Sequence, residues 1–215
     1  FAWDDKFFQL KPKFYAIADP VFWREDVNAD FQKDNALLIS RLLQVDWEMY
    51  LVCPKRGEKF LHDKLKVNSN IKLIGIKANA FDFKMDKLNI FGMKLGIVTP
   101  KFNNVLVLAL WHALLMKPES ILVYGADFSL FKEYKVDQET NELVSTFSHF
   151  YKNSKAQANA GNKYHGVKNK KMYARLYQCA SSFHQMFLLS LYGEKVGCKI
   201  INRSSDSYLD CFDRK

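Results

Sequence analysis

The segment formed by residues 120–151 contains the side chains best suited to chemistry. It opens with a short apolar run, 121–124, that is typical of a buried strand, and Gly125 and Asp127 follow this run directly. In an open α/β sheet, ligands bind where the strands end, since a glycine there lets the backbone come close and a carboxylate supplies charge. His149 follows later in the same segment. The pattern therefore predicts a carboxylate and a histidine near one pocket, and the alternative for Asp127 is a cap of the turn that follows the strand.

Two histidines are candidates for contact with a substrate. His149 has aromatic neighbours, among them Tyr151, and such neighbours can hold an imidazole rigid and partly desolvated, as suits a general base near neutral pH. A packed aromatic cluster without a catalytic role explains the same pattern. His165 lies in a lysine-rich stretch and is a candidate contact for phosphate.

A pair of asparagines stands at the start of a helix predicted over 103–116. The free N–H groups at a helix N-terminus bind anions. Asn103 or Asn104 could cap this helix, or could bind a phosphate or a base of a nucleotide. The sequence leaves both roles open.

A polar segment also follows the last predicted strand, 199–202. Asn202, Ser204 and Tyr208 bring an amide and two hydroxyls to a second strand end. The segment would form either a polar wall of the pocket or, through Ser205 or Asp206, the N-cap of a short helix predicted over 207–212.

Several motifs that would define the chemistry are absent from the sequence. It contains no G-x-G-x-x-G, no Walker A loop, no G-x-S-x-G and no H-E-x-x-H. It also lacks the D-x-D with which many sugar transferases hold a divalent cation. The four cysteines are far apart and form no zinc motif. We therefore predict no metal site and no bound cofactor.

The positions of the predicted elements indicate an α/β fold. Asp30 or Asp34 is the expected cap of the first long helix. Helices and strands alternate, which predicts a mostly parallel sheet covered on both faces, with the strand 121–124 at its centre. No linker or repeat is visible, so we predict a single domain over 1–215. The predicted strands are 14–18, 49–53, 71–74, 121–124 and 199–202, and the main helices end at 43, 65, 116 and 191.

Composition favours a folded protein with a basic surface. Apolar residues make up 48 % of the 215 residues, and the formal net charge is +9. Much of the excess charge lies in the segment 152–171, which contains six lysines and no acidic residue. The charge is explained either by a solvated basic surface without a partner or by contact with a nucleotide phosphate, an acidic polymer or an anionic membrane surface.

The order of several segments resembles a known family. These are LKPKFYAIADPVFW at 10–23, NVLVLAL at 104–110, ILVYGAD at 121–127, SHFY at 148–151, KIINRS at 199–204 and SYLD at 207–210. Together they resemble the bacterial DUF115, or MptE-like, proteins of surface-polysaccharide and flagellin-glycosylation loci. They are more distantly similar to the bacterial sialyltransferases of glycosyltransferase family 42.

The resemblance implies a Rossmann-like, three-layer α/β/α glycosyltransferase. The donor would be a CMP-activated acidic sugar, the acceptor a glycan, and His149 the general base. Residues implied or predicted to bind the nucleotide donor are Asn103, Asn104, Gly125, Asp127, Ser129 and Tyr134, and those predicted to bind substrate are Tyr151, His165, Asn202, Ser204 and Tyr208.

The sequence departs from these relatives in two places. A first strand and its glycine-rich G-x-G-P-S-L-like loop have no counterpart, so we expect the chain to begin just beyond that unit. Ser129 stands where the sialyltransferases have a tyrosine that holds the donor phosphate, and Tyr134 is the nearest tyrosine.

Two other functions fit parts of the sequence. An MptE-like pterin pyrophosphokinase would transfer a diphosphate from ATP and would need Mg²⁺ on carboxylates such as Asp19, Asp127 and Asp137. A non-catalytic glycan- or nucleic-acid-binding module would explain the basic segment. We expect a cytoplasmic enzyme, peripheral at the inner membrane, with no nucleic acid among its partners.

Overall fold

The computed structural model describes residues 2, 4–24, 27, 29–80, 85–145 and 171–214. The chain divides into two compact units, Phe1–Lys117 and Pro118–Lys215. Each unit contains its own parallel strands and its own helices. The single domain expected over the whole chain stays a prediction.

The first unit is built on three parallel strands in the order β1-β2-β3. A helix follows each of the first two strands, which is the connection that parallel neighbours require. The elements are α1 (Lys6–Leu10), β1 (Phe14–Ala16), a short 3-10 helix (Pro20–Trp23), α2 (Ala29–Leu43), β2 (Met49–Pro54), α3 (Lys55–Leu65), β3 (Ile71–Ile76), α4 (Asp86–Lys94) and α5 (Val105–Leu115).

Side chains of the middle strand alternate between two apolar cores. Leu51 and its second neighbours along β2 pack with residues of α2 and α3. Val52 points to the other face, where it packs with Leu108 of α5. Because successive side chains of a strand point to opposite faces, the continuous apolar run of β2 requires helices on both sides of this sheet.

Helix α3 begins directly at the end of β2 and packs closely against the 3-10 helix. Gly57 lies under the indole of Trp23, and a Cβ atom at this position would lie only 2.6 Å from Trp23 Cδ2. A glycine is therefore needed for α3 to approach the indole. Trp23 in turn belongs to the apolar core on the α2 and α3 side of the sheet.

The second unit contains two parallel strands and an antiparallel hairpin. Strand β4 pairs with β7 in parallel, and β5 pairs with β6 in the hairpin. The elements are β4 (Ser120–Val123), a 3-10 helix (Leu130–Glu133), β5 (Tyr134–Val136), β6 (Leu143–Ser145), α6 (Met172–Val196) and β7 (Lys199–Asn202). The predicted α/β class with mostly parallel strands is confirmed, and all five predicted strands are found in place.

Three local predictions are wrong. Strand β4 does not lie at the centre of a sheet in the described structure: it pairs with β7 alone, and Leu122 is 49 % exposed. An apolar run predicts a strand, but it does not predict how many other strands pair with it. Helix α2 begins at Ala29, so Asp30 and Asp34 lie within it and not at its cap.

The third correction concerns residues 207–212, which have irregular backbone and form no helix. Ser207 Oγ accepts a hydrogen bond from Leu209 N at 3.2 Å and donates one to the carbonyl of Ala126. These bonds hold the backbone in a turn, because serine side chains compete with helical hydrogen bonding.

Across the described residues, no helix combines the length and apolar character that crossing a membrane demands.

Candidate functional site

The carboxyl ends of β4 and β7 bring two polar loops side by side. The strands are parallel and their last residues, Val123 and Asn202, are paired in register. The loops 124–129 and 203–208 therefore leave the sheet at the same edge. This arrangement brings together six of the predicted site residues, which are Gly125, Asp127, Ser129, Asn202, Ser204 and Tyr208.

Buried side chains of the second loop bind the backbone of the first. Ser204 Oγ accepts from Ala126 N at 2.9 Å, and Ser204 N donates to Asn202 Oδ1 at 3.0 Å. Asn202 Nδ2 donates to Ser207 Oγ at 2.9 Å and to the carbonyl of Leu209 at 3.3 Å. Asn202 is 1 % exposed. The two loops are thus held to each other by the side chains that were predicted as a pocket wall.

Arg214 closes this network from the end of the chain. Its guanidinium donates to the carbonyl of Ser204 at 2.9 Å and to that of Ser207 at 2.8 Å. A planar guanidinium suits two acceptors at once, because its N–H groups have a fixed geometry. Sequence reasoning missed Arg214, since nothing in the local pattern relates it to the loop ten residues earlier.

The first loop contains two residues with left-handed backbone. Gly125 has φ of 68° and Phe128 has φ of 58°. A glycine adopts this conformation without strain, and an added Cβ at Gly125 would meet open space. Gly125 therefore sets the direction in which the loop leaves the strand.

Asp127, Tyr208 and Lys132 form the exposed rim of the two loops. Asp127 Oδ2 accepts from Ser129 Oγ at 2.8 Å, and Tyr208 N donates to the carbonyl of Asp127 at 2.8 Å. Lys132 Nζ lies 4.3 Å from the centroid of the Tyr208 ring, and the Phe131 ring meets the same tyrosine edge-on at 5.2 Å. Sequence reasoning missed Lys132, for which the available signal was a position close after Ser129.

This rim offers three kinds of contact within a small area. The Asp127 carboxylate can accept hydrogen bonds from hydroxyl or amino groups, and the Lys132 ammonium can bind a phosphate as a point charge. The partly exposed ring of Tyr208 provides a flat apolar surface with a polar tip. Together these groups suit a ligand that combines a base or sugar with a phosphate.

Tyr134 contacts helix α6 through Cys179. Its hydroxyl hydrogen-bonds with the thiol of Cys179, and burial raises the pKa of Tyr134. The tyrosine thus joins strand β5 to α6. Its predicted contact with the donor stays a prediction.

Asn104 caps helix α5 in the first unit. Its Oδ1 accepts from Val107 N at 3.0 Å, as expected for an N-cap asparagine. The capping role is thereby confirmed for Asn104, whereas Asn103 precedes the cap. Contacts of either asparagine with a nucleotide stay predictions.

Three predicted site residues, His149, Tyr151 and His165, lie outside the described residues. The same holds for the basic segment 152–171 apart from its last residue. The assignment of His149 as a general base stays a prediction from the resemblance.

Two of the acidic residues considered for Mg²⁺ have local roles. Asp137 Oδ1 accepts from Thr140 N and Thr140 Oγ1, each at 2.8 Å, and hydrogen bonds from Thr140 hold the pKa of Asp137 below its usual range. Asp19 Oδ1 accepts from Val21 N at 3.0 Å and so caps the 3-10 helix. Within the described ranges, no group of three or more histidine, cysteine, aspartate or glutamate side chains is placed to share a metal ion.

Comparison with known proteins adds no assignment. No family model matches the chain, and neither a curated protein nor a solved structure does.

Proposed function

We propose that this protein is a glycosyltransferase with a Rossmann-like three-layer fold that transfers a sugar from a CMP-linked donor to a glycan acceptor. The observation that supports the proposal most directly is the pair of loops at the carboxyl ends of β4 and β7, with Asp127, Lys132 and Tyr208 on their exposed rim. Ligands of open α/β sheets bind at such strand ends.

Each rim group has a defined task in the proposed complex. Asp127 accepts hydrogen bonds from the nucleoside part of the donor, and Tyr208 packs against its flat surface. Lys132 lies beside the phosphate. When the bond between the anomeric carbon and the phosphate oxygen breaks, the electron pair stays on CMP, and the lysine stabilises this charge.

The proposed transfer also requires removal of one proton. The oxygen of the acceptor hydroxyl attacks the anomeric carbon, and His149 takes the hydroxyl proton as the new bond forms. The products are the glycosylated acceptor, CMP and a protonated imidazole, which later releases its proton to solvent. Ser129 supports the donor side, because its hydroxyl holds the Asp127 carboxylate at 2.8 Å.

Nucleotide binding is the first test of the proposal. We expect CMP to raise the Tm of the protein without Mg²⁺, and to raise it more than UDP or ATP does, since a ligand that binds only the folded state stabilises that state by about 2.7 kcal/mol at 100 times its Kd. Asp127→Ala should reduce the shift. Asp210→Ala removes an exposed carboxylate from the neighbouring loop and should leave the shift unchanged.

Other outcomes of the nucleotide panel favour other functions. A shift with ATP and Mg²⁺ only would replace the proposal with the pterin pyrophosphokinase. No shift with any nucleotide, together with binding of a glycan, would indicate a non-catalytic binding module.

The role of His149 is tested by turnover. We expect His149→Ala to lower kcat for CMP release from a CMP-linked acidic sugar by roughly 10²–10⁴-fold, the usual contribution of proton transfer. The thermal shift with CMP should persist, because a base that acts on the acceptor adds little to donor binding. His62→Ala, which changes an exposed histidine of α3, is the control. Turnover near the wild-type value in folded His149→Ala would rule out the general base.

A further inference from the structure

Helix α4 exposes large apolar side chains on the face opposite to the one it buries. Asn89, Ile90 and Met93 are buried. Leu88, Phe91 and Leu95 follow helical spacing on the outer face, where Phe91 is 61 % exposed. With Met85 and Ile97, which flank the helix and are also exposed, they form a surface that we call the apolar ridge.

The backbone around α4 fixes the ridge in an outward position. Gly92 packs so closely on Val98 that a Cβ atom would lie 2.7 Å from Val98 Cγ2. The N–H groups of Ile97 and Val98 donate to the carbonyl of Gly92 at 3.0 and 3.2 Å. The helix therefore cannot turn its outer face inward without breaking these bonds and lifting its buried residues into water.

Further support comes from the segments on either side of α4. Asn79 N donates to Thr99 Oγ1 at 3.0 Å, and Thr99 N donates to the carbonyl of Asn79 at 3.1 Å. These two bonds join the chain before the helix to the chain after it. Because the two segments that flank α4 are bonded to each other, the helix is held in place before a partner binds. This lowers the conformational cost of binding through the ridge.

Positive charge accompanies the ridge. Lys87 and Lys94 are both exposed, and their separation of seven residues, about two helical turns, places them on the same flank of α4. Apolar side chains beside lysines are typical of helices that lie in the interface of an anionic membrane, because the lysines meet lipid phosphates while the apolar groups enter the acyl boundary.

We propose that the apolar ridge docks this protein on an anionic membrane surface. The helix lies along the interface, with Leu88 and Phe91 buried among the lipids and Lys87 and Lys94 at the headgroups. Antiparallel pairing of two ridges about a twofold axis is disfavoured, since it would bring the lysine flanks of two copies together. The element differs from the basic segment 152–171, and the inference does not rest on the proposed transfer reaction.

Vesicle co-sedimentation of the 215-residue chain tests the docking. We expect binding to phosphatidylcholine vesicles that contain phosphatidylglycerol and much weaker binding to phosphatidylcholine alone. Leu88→Gln/Phe91→Gln should weaken the binding by at least about a hundredfold, since loss of each apolar side chain from the lipid costs roughly tenfold or more. Val67→Gln, at a position that is 80 % exposed but far along the sequence from α4, should bind like the wild type.

The charge contribution has its own matched pair. Lys87→Gln/Lys94→Gln should weaken binding by roughly fivefold for each lysine. Lys59→Gln/Lys66→Gln removes the same charge from exposed positions of α3 and its end, and should have a smaller effect.

Two results would overturn the inference. One is vesicle binding that is absent in the wild type or unchanged in Leu88→Gln/Phe91→Gln. The other is a wild-type dimer in analytical ultracentrifugation that the same double variant converts to a monomer, which would assign the ridge to a second copy of the chain. The nucleotide experiments test the strand-end loops of the second unit, whereas the vesicle experiments test the apolar ridge of the first unit. Failure of one proposal therefore does not affect the test of the other.

Discussion

At the scale of single residues, Asn202 illustrates why a polar side chain at a strand end has two possible meanings. The sequence predicted it as part of a pocket wall. The structure buries its amide, which bonds Ser204, Ser207 and the carbonyl of Leu209. These bonds position the loop whose Tyr208 is exposed at the rim. The residue type in the sequence therefore indicates a polar group at a strand end. The hydrogen-bond partners in the structure show whether that group binds a ligand or positions a loop.

His112 of α5 gives a prediction about pH. Its ring lies 5.1 Å from the ring of Phe14, its Nε2 atom is buried without a hydrogen-bond partner, and burial lowers the pKa of His112. The unfolded chain therefore binds a proton at this histidine more readily than the folded chain. The stability that neutral His112 contributes is fully present above its ordinary pKa of about 6.5 and is lost as pH falls through the lowered value.

Urea unfolding at several pH values measures this effect. We expect the free energy of unfolding to fall more steeply from about pH 7.5 to about pH 5.5 in the wild type than in His112→Phe, which has no group to titrate. His62→Gln, at an exposed histidine, should keep the wild-type slope. Equal slopes in the wild type and His112→Phe would contradict the assignment.

At the scale of elements, the contact between α3 and the 3-10 helix gives a second prediction. Gly57→Ala should lower the free energy of unfolding by about 1–3 kcal/mol, because the methyl group would overlap the indole of Trp23. In a Trp23→Leu background the same change should be neutral or stabilising, since alanine favours a helix over glycine by about 1 kcal/mol. A double-mutant cycle by urea unfolding measures the difference, and equal effects in both backgrounds would exclude the overlap.

Elements with an unbroken apolar run could be predicted, and those defined by polar contacts could not. Strand β2 was found because its run of apolar residues ends at a proline. The β5–β6 hairpin was missed, although Asp137 bonds Thr140 in its turn and Asn141 has φ of 51°. Polar turn residues such as these are signals for a hairpin, but β5 and β6 are only three residues long and carry little apolar pattern.

At the scale of the whole molecule, the sequence predicted which loops carry polar groups but not which loops meet. The site described in the second unit combines segments near residues 125, 132, 204 and 214, and parallel pairing of β4 with β7 brings the first and third together. Lys132 joins the site from the 3-10 helix that follows the first loop, and Arg214 joins it from the last described residues of the second unit. Contacts between distant segments depend on the fold, and no local pattern encodes them.

The net charge shows the same limit. A value of +9 predicted an anionic partner, and the basic segment 152–171 was the obvious place for it. Lys87 and Lys94 became relevant only when α4 was seen to expose an apolar face beside them. The partner surface proposed for a charged protein therefore depends on where its apolar groups remain exposed.

The buried cysteines have a practical consequence for measuring how the chain opens. Cys53 in the first unit is fully buried, and burial raises its pKa to about 11; Cys198 in the second unit is also buried, and burial raises its pKa. Thiolates are the reactive form, so an alkylating reagent modifies these residues only when their surroundings open. We expect modification in native buffer to be at least roughly a hundredfold slower than in urea.

Mass spectrometry of the alkylated peptides gives a separate rate for each thiol. Trp23→Leu weakens the core that contains Cys53 and should accelerate modification of Cys53. Modification of Cys53 at the same rate in buffer and in urea would show that this core is open in the native state. The alkylation rates of Cys53 and Cys198 thus report, separately for each unit, how often solvent reaches the buried interior.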